Sequence, residues 1–341
     1  MTNLIERFWY SNSKWLLIFW PLNLLFYLLV QAKYFLYKTK FLTSNSFSKP
    51  VIVIGNISVG GTGKTPFINQ LALYLKAKGY RCGIVSRGYK SQCSHFPHQV
   101  SPSDKVELIG DEAFMQFHSL NSTSDELIPV VIDPNRSRAV NYIINNNPID
   151  IVISDDGLQH YQMSRDIEIL MFDGERQFGN KFILPFGPLR EPMSRLNSVD
   201  LVVQNGNQET EYTEYKTQLS ATHFVNLKTG KKHSLNYFNE NSIKVNAIAA
   251  IGNPNRFYKS LSGYATIDKK RSFRDHHLFK VNDFLPYENS YIIMTEKDAA
   301  KCYEFAKENW FYLKVEMEFD NKLTQALDSL FMDNNKFKLV K

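Results

Sequence analysis

Apolar residues along the chain recur in two rhythms. Continuous apolar, β-branched runs occupy 51–54, 81–86, 129–133, 150–154, 167–172 and 200–204, and between them apolar positions return at helical spacing near 66–78, 111–120 and 136–146. Short apolar runs bounded by turn residues mark buried strands, and the 3.6-residue period marks amphipathic helices. Their alternation predicts an α/β fold with a doubly wound, mostly parallel sheet. Ligands of such a sheet gather at the carboxyl ends of its strands. The polar stretch 88–108 predicts a loop of a length used for lids and substrate-binding surfaces. From 205 the texture turns polar and Thr-rich, with a turn at Lys228-Thr229-Gly230-Lys231, which predicts a β-ribbon linker over 205–240. Apolar strands at 245–251 and 291–294 then predict a second, smaller α/β domain over 241–341, after a core over 43–204. No internal repeat of fixed period is visible.

The segment 15–30 is almost wholly apolar but only sixteen residues long, and Pro21 and Asn23 interrupt it. A spanning helix needs about twenty residues, and no small-residue cleavage site follows as in a signal peptide. Charge sharpens this. The chain of 341 residues carries a formal net charge of +6, and residues 1–40 hold Arg7, Lys14, Lys33, Lys38 and Lys40 against Glu6. Lysines on both flanks, with Trp9, Trp15, Trp20, Tyr27, Tyr34 and Tyr37, predict that residues 1–42 form a helix lying in a membrane interface. A helix packed on the protein's own core is the alternative. The remaining residues are nearly balanced, which argues against nucleic acid as a partner. Cys82, Cys93 and Cys302 are widely spaced, which suggests a reducing compartment and neither a disulfide framework nor a zinc site.

The strand at 51–54 leads into Gly55-Asn56-Ile57-Ser58-Val59-Gly60-Gly61-Thr62-Gly63-Lys64-Thr65-Pro66 and then a helical pattern. Strand, glycine loop and helix N-terminus form an anion cradle, with Ser58 to Thr65 (Ser58, Val59, Gly60, Gly61, Thr62, Gly63, Lys64, Thr65) as the nucleotide-binding stretch, Lys64 reaching the terminal phosphates and Thr65 a ligand of Mg²⁺. Ser58 stands where the usual spacing has a glycine. The strand 150–154 ends in Asp155-Asp156, the form of an element that delivers a carboxylate to the nucleotide's Mg²⁺, although two acids after a strand also start loops and cap helices. Gln159 and His160 follow in the same loop. Asp111 reads by itself as a helix cap, Arg190-Glu191 as an ion pair in a proline-pinned loop, and Thr295-Glu296-Lys297-Asp298 as a capping box. His276 and His277 are too close together for helical zinc spacing.

Taken in order, these motifs resemble one family, tetraacyldisaccharide 4′-kinase, the lipid A 4′-kinase of Gram-negative bacteria. The resemblance runs through Gly55–Pro66, Ser86-Arg87-Gly88-Tyr89, Gly110-Asp111-Glu112, Asp155-Asp156-Gly157-Leu158-Gln159-His160, Gly187-Pro188-Leu189-Arg190-Glu191, Phe273-Arg274-Asp275-His276-His277 and Thr295–Asp298. Ala113 and Arg274 depart from it, each standing where proline is expected. The resemblance implies a P-loop NTPase-like fold and transfer of the ATP γ-phosphoryl group to the 4′-hydroxyl of an acylated glucosamine disaccharide, with Mg²⁺, at the cytoplasmic face of the bacterial inner membrane. It implies Lys64 on the phosphates, Thr65, Asp156 and Glu191 nearest Mg²⁺, and Asp111 as the acceptor base with His276 orienting it or sharing the proton. No obligate protein partner is implied. The competing expectation is a membrane-recruited P-loop ATPase acting as a partner-binding switch.

Overall fold

The computed structural model of the protein describes residues 9–10, 20–121, 126–275, 277–333 and 337. After helix α1 (Trp20–Lys38), the chain runs β1 (Val51–Gly55), α2 (Lys64–Ala77), β2 (Cys82–Ser86), β3 (His98–Gln99), α3 (Val106–Ile109), α4 (Asp111–Asn121), β4 (Val130–Ile132), α5 (Arg136–Asn146), β5 (Ile151–Asp155), β6 (Ile167–Asp173), β7 (Leu201–Asn205), β8 (Lys216–Asn226) and β9 (Lys232–His233). It continues through α6 (Tyr237–Glu240), β10 (Lys244–Ala249), α7 (Pro254–Leu261), β11 (Thr266–Ser272), α8 (Val281–Phe284), β12 (Tyr291–Thr295), α9 (Glu296–Ala299), β13 (Trp310–Phe319) and α10 (Asn321–Asp333). The stretch expected as a loop over 88–108 therefore carries a short strand and one helical turn, because β3 adds antiparallel to the edge of β4.

All described strands join one sheet, in the order β11-β10-β12-β13-β8-β7-β6-β1-β5-β2-β4-β3, with β9 on β8. In β1, side chains alternate between faces: Ile52 and Ile54 enter the core cluster that holds Phe67, Leu71 and Leu75 of α2, while Val51 and Val53 enter the cluster of Ala139, Val140 and Ile143 of α5. Covered on both faces, the strand is apolar throughout, as parallel strands are. The parallel pairing of β1 with β5 sets Ile54 opposite Asp155. The glycine loop and the acid pair thus leave the sheet side by side at its carboxyl edge.

β8 is the strand shared by the two parts of the sheet. Its first residues pair parallel with β7, and from Thr217 to Asn226 it pairs antiparallel with β13, with one register shift. Beyond β13 the sheet is parallel again, around a core of Phe224, Phe238, Ala247, Phe257, Leu261, Ile293 and Phe311. Helix α10 then packs back on the first core through Leu323, Leu327 and Phe331.

Helix α1 accommodates Pro21 in its first turn, where the missing N–H costs nothing. Its inward stripe is Asn23, whose Nδ2 donates to the carbonyl of Ile183, then Phe26, and Tyr34 and Tyr37 packed on Tyr161 with centroids 5.7 and 5.8 Å away. Leu22, Leu25, Leu28, Leu29 and Phe35 lie on the outward side, each more than half exposed. No described helix is long and apolar enough to cross a membrane. Residues 15–19 of the apolar segment lie outside the described residues.

Candidate active site

The phosphate loop is braced from beneath. Val59 N–H donates to the carbonyl of Pro188 (2.8 Å), Arg190 N–H to that of Ile57 (2.6 Å), and Ser58 bridges Leu189, so Ser58 is buried in a small β-contact where a glycine's freedom is not needed. Gly63 caps α2 with a left-handed φ of 85° and no side-chain acceptor; Asn205, whose Nδ2 donates to the carbonyl of Thr62 (3.1 Å), fills the space a Cβ would take. Among the described residues, the N–H groups of Gly60, Gly61, Thr62 and Gly63 reach no carbonyl. Four unpaired donors at a helix N-terminus suit a polyphosphate, so the residues present fit ATP.

Beside the loop, Lys64 Nζ lies 3.3 Å from Asp156 Oδ1 and Arg190 Nη1 3.2 Å from Asp156 Oδ2. Burial pushes the Asp156 carboxyl up, but the two cations together outweigh it and hold it below the usual carboxylate range. Asp156 adopts a left-handed φ of 50°, a strained backbone that aims its side chain at the loop. Asp155 behaves oppositely: full burial, then the charge of Glu112, pushes it up to about 7. Arg136, buried, donates from Nη2 to the carbonyl of Asp155 (2.7 Å). His160 is driven down to about 4 by burial and then by Arg136, which leaves it neutral at physiological pH.

Glu191, expected beside the metal, is directed elsewhere. It is buried, accepts from Gln159 Nε2 (2.9 Å) and from the Tyr161 hydroxyl, and lies 3.7 Å from Arg195 Nε. Gln159 also donates to the carbonyl of Asn56 (3.0 Å). Glu191 therefore braces the start of the phosphate loop through Gln159 and does not line the cleft.

The cleft, about 1860 Å³, lies between this wall and the second part of the sheet. On the far side Asp111 opens α4, buried, its Oδ1 accepting the N–H of Glu112 (3.1 Å). Lys301 Nζ stands 3.7 Å from Asp111, and Lys297 Nζ lies 3.9 Å from Asp111, 3.8 Å from Glu112 and 3.5 Å from Asp275. His276 lies outside the described residues. The expected cap at Thr295 is present, its Oγ1 accepting from Asp298 N–H (3.2 Å), but Asp298 turns its carboxylate to Ala250 N–H, the Thr295 hydroxyl and Lys301. The structure thus joins Lys64, Thr65 and Asp156 on one wall; on the other it sets Lys297 and Glu112, with Asp111 buried against Lys297 and not itself lining the cleft. Lys297, Arg136 and Asn205 are additions: each sits in ordinary helical or strand context, and only the tertiary fold brings it to the cleft, while Lys301, buried, pairs with Asp111 and Asp298.

The family model described as "Tetraacyldisaccharide-1-P 4'-kinase" (LpxK) matches residues 15–332. The chain belongs to this family. It is similar to the tetraacyldisaccharide 4'-kinase of Legionella pneumophila (strain Corby), 41% identical over 96% of this chain and 97% of the relative. It is also similar to that of Psychromonas ingrahamii, 43% identical over 94% and 97%. Among solved structures, Aquifex aeolicus LpxK in complex with ATP superposes with a TM-score of 0.76 at 27% identity, covering 92% of this chain and 99% of that one. The expectations of a P-loop α/β fold and of an ATP-dependent kinase of lipid A biosynthesis hold.

Proposed function

We propose that this kinase holds the ATP phosphates on the N–H groups of Gly60 to Gly63, with Lys64 on the β- and γ-phosphates and Mg²⁺ on Thr65 and Asp156. The four unpaired donors beside the Lys64–Asp156 pair carry this reading. Magnesium there would neutralise charge on the phosphate oxygens and needs few protein ligands, since it keeps waters and shares the substrate's phosphates. Glu191, bound to Gln159 and Tyr161, acts on the loop and not on the ion. Asp111 accepts the proton of the acceptor 4′-hydroxyl, with His276, which the family resemblance pairs with it, as its partner; a sugar hydroxyl is a weak acid and needs such a base.

The acceptor we propose is a tetraacylated glucosamine disaccharide 1-phosphate at the cytoplasmic face of the inner membrane. What supports the membrane placement is α1: an outward apolar face of Leu22, Leu25, Leu28, Leu29 and Phe35, with Lys33, Lys38 and Lys40 at its carboxyl end. The experiment is transfer of label from γ-labelled ATP to acceptor embedded in anionic vesicles. The double change Leu25→Glu/Leu28→Glu is expected to release the protein from sedimenting vesicles and to cut product at least about tenfold while ATP binding stays native. Undiminished transfer by a released protein would refute the membrane placement, and absence of labelled product with the unmodified protein would refute the acceptor.

A further inference from the structure

We infer that Arg176 is a further catalytic residue, an arginine supplied in cis to the transferring phosphoryl group from the turn that follows β6. The inference rests on loop 58–65 being the ATP cradle. Asp173 holds the turn by accepting the backbone N–H groups of Glu175 (3.1 Å) and Arg176 (3.0 Å) at Oδ1. From there the guanidinium reaches over the middle of the phosphate loop. A Cβ built on Gly60 would stand 3.4 Å from Arg176 Nη1, and Gly60 itself holds a φ of 115° that disfavours any side chain. The N–H groups of Gly60 to Gly63 reach no carbonyl among the described residues, and Arg176 lines the same cleft as they do, so an anion held at Gly60 lies within reach of that nitrogen.

The charge of Arg176 is left over for that purpose. A guanidinium carries five N–H donors. Among the described residues, Arg176 spends one, a long bond of 3.5 Å from Nη2 to the carbonyl of Gly252, and lies over the Tyr10 ring at 5.8 Å. The neighbouring carboxylate does not neutralise it, because Asp173 Oδ2 is taken by Arg256 at 2.9 Å. Arg256 in turn reaches Asn205, which holds the carbonyl of Thr62. Two arginines thus approach the loop from its open side, and Arg256 has its partners while Arg176 faces the cleft.

In the transfer, the acceptor oxygen bonds to the γ-phosphorus as the bond from that phosphorus to the bridging oxygen of ADP breaks. The hydroxyl proton goes to Asp111 and the electron pair stays on ADP. Arg176 moves no proton; its forked donors bind the equatorial and bridging oxygens, where charge accumulates in the transition state. Because Gly252 precedes α7 in the second part of the sheet, the arginine is steadied by the part of the molecule that carries Asp275 and Lys297.

The test uses the full-length enzyme and the variants Arg176→Ala and Arg176→Lys, with kcat, both KM values, and affinities for Mg–ADP with and without aluminium fluoride. Arg176→Ala is expected to lose about 10³ in kcat, the low end of what such arginines contribute, with both KM values within about threefold. Arg176→Lys should regain little, since an ammonium cannot present the fork. Affinity for the aluminium fluoride complex should fall in parallel with kcat while Mg–ADP affinity holds. A rise in acceptor KM at unchanged kcat would overturn the inference in favour of acceptor recognition, and equal losses of both ADP affinities would reduce Arg176 to a structural role. If the unmodified enzyme formed no aluminium fluoride complex, the cradle assignment would fall first and the inference with it.

Discussion

On the phosphate wall of the cleft, consecutive residues from Gly60 to Thr65 present backbone donors and one lysine, and the sheet register brings Asp156 alongside. On the opposite wall, where we propose the acceptor base, nothing is consecutive: Asp111 comes from α4, Asp275 from a loop after β11, and Lys297 and Lys301 from α9 and its end. The first wall is a local conformation repeated wherever a chain must hold a phosphate. The second is held together by the ion pairs of Lys297, which reach Asp111 and Glu112, both more than 180 residues away in sequence, as well as Asp275. Phosphate binding should therefore survive damage that scatters the acceptor groups, and the reverse should not hold.

The largest expected effect tests that separation. Lys64→Ala and Asp111→Ala should each lower kcat by about 10²–10⁴, but only Lys64→Ala should also weaken ATP. Adding His276→Ala to Asp111→Ala should cost little more, because groups acting as a unit are not additive. Steady-state rates at saturating ATP, with ATP affinity measured directly, distinguish this from independent contributions, whose losses would multiply. A smaller effect is expected at Lys297. Lys297→Met should reduce kcat/KM for the acceptor about tenfold and leave ATP KM native, in line with the loss of one partly buried charge among three carboxylates. An equal change in both KM values would mean that the two walls are not separable.

The smallest effect is on stability and concerns Asp155. Its folded value of about 7 lies above its ordinary 3.8. The folded state therefore binds the proton more tightly than the unfolded state, so this group's contribution to stability falls as pH rises from about 4 through 7 and its cost is complete above that. Asp155→Asn removes the ionisation. Its melting temperature relative to the unmodified protein should rise by a few degrees between pH 5 and pH 8. A pH-independent difference would show that Asp155 does not ionise in this interval.

How much of this was legible in the sequence follows the same division. Helix 136–146 matches its expected limits, and the strand expected at 150–154 is displaced by one residue, because burial on both faces imposes a readable pattern. Strand β11, Thr-Ile-Asp-Lys-Lys-Arg-Ser, showed no such pattern: it is an exposed edge whose charges discourage further pairing. Lys64 and Asp156 were legible from motif and context. The surroundings of Glu191 were not legible, since adjacency to Arg190 along the chain says nothing of which way each side chain leaves the loop; Arg190 turns to Asp156 and Glu191 to Tyr161. Asp111 and the role of Lys297 needed tertiary contacts, for each has a sufficient local explanation as a residue at the start of a helix.

The sharing of β8 and the return of α10 bear on how the protein is made. Strand β8 leaves the ribosome some ninety residues before its main partner β13, and the first core has to wait for Leu323, Leu327 and Phe331 before it is closed. During synthesis, at about 5–20 residues per second, the phosphate loop can form early on a sheet with an unpaired edge and an uncovered apolar face. Its final seat exists only after the last helix has docked. Nascent chains halted before residue 320 would thus expose a nearly complete nucleotide site on an unfinished core, a form suited to chaperone capture rather than to phosphoryl transfer.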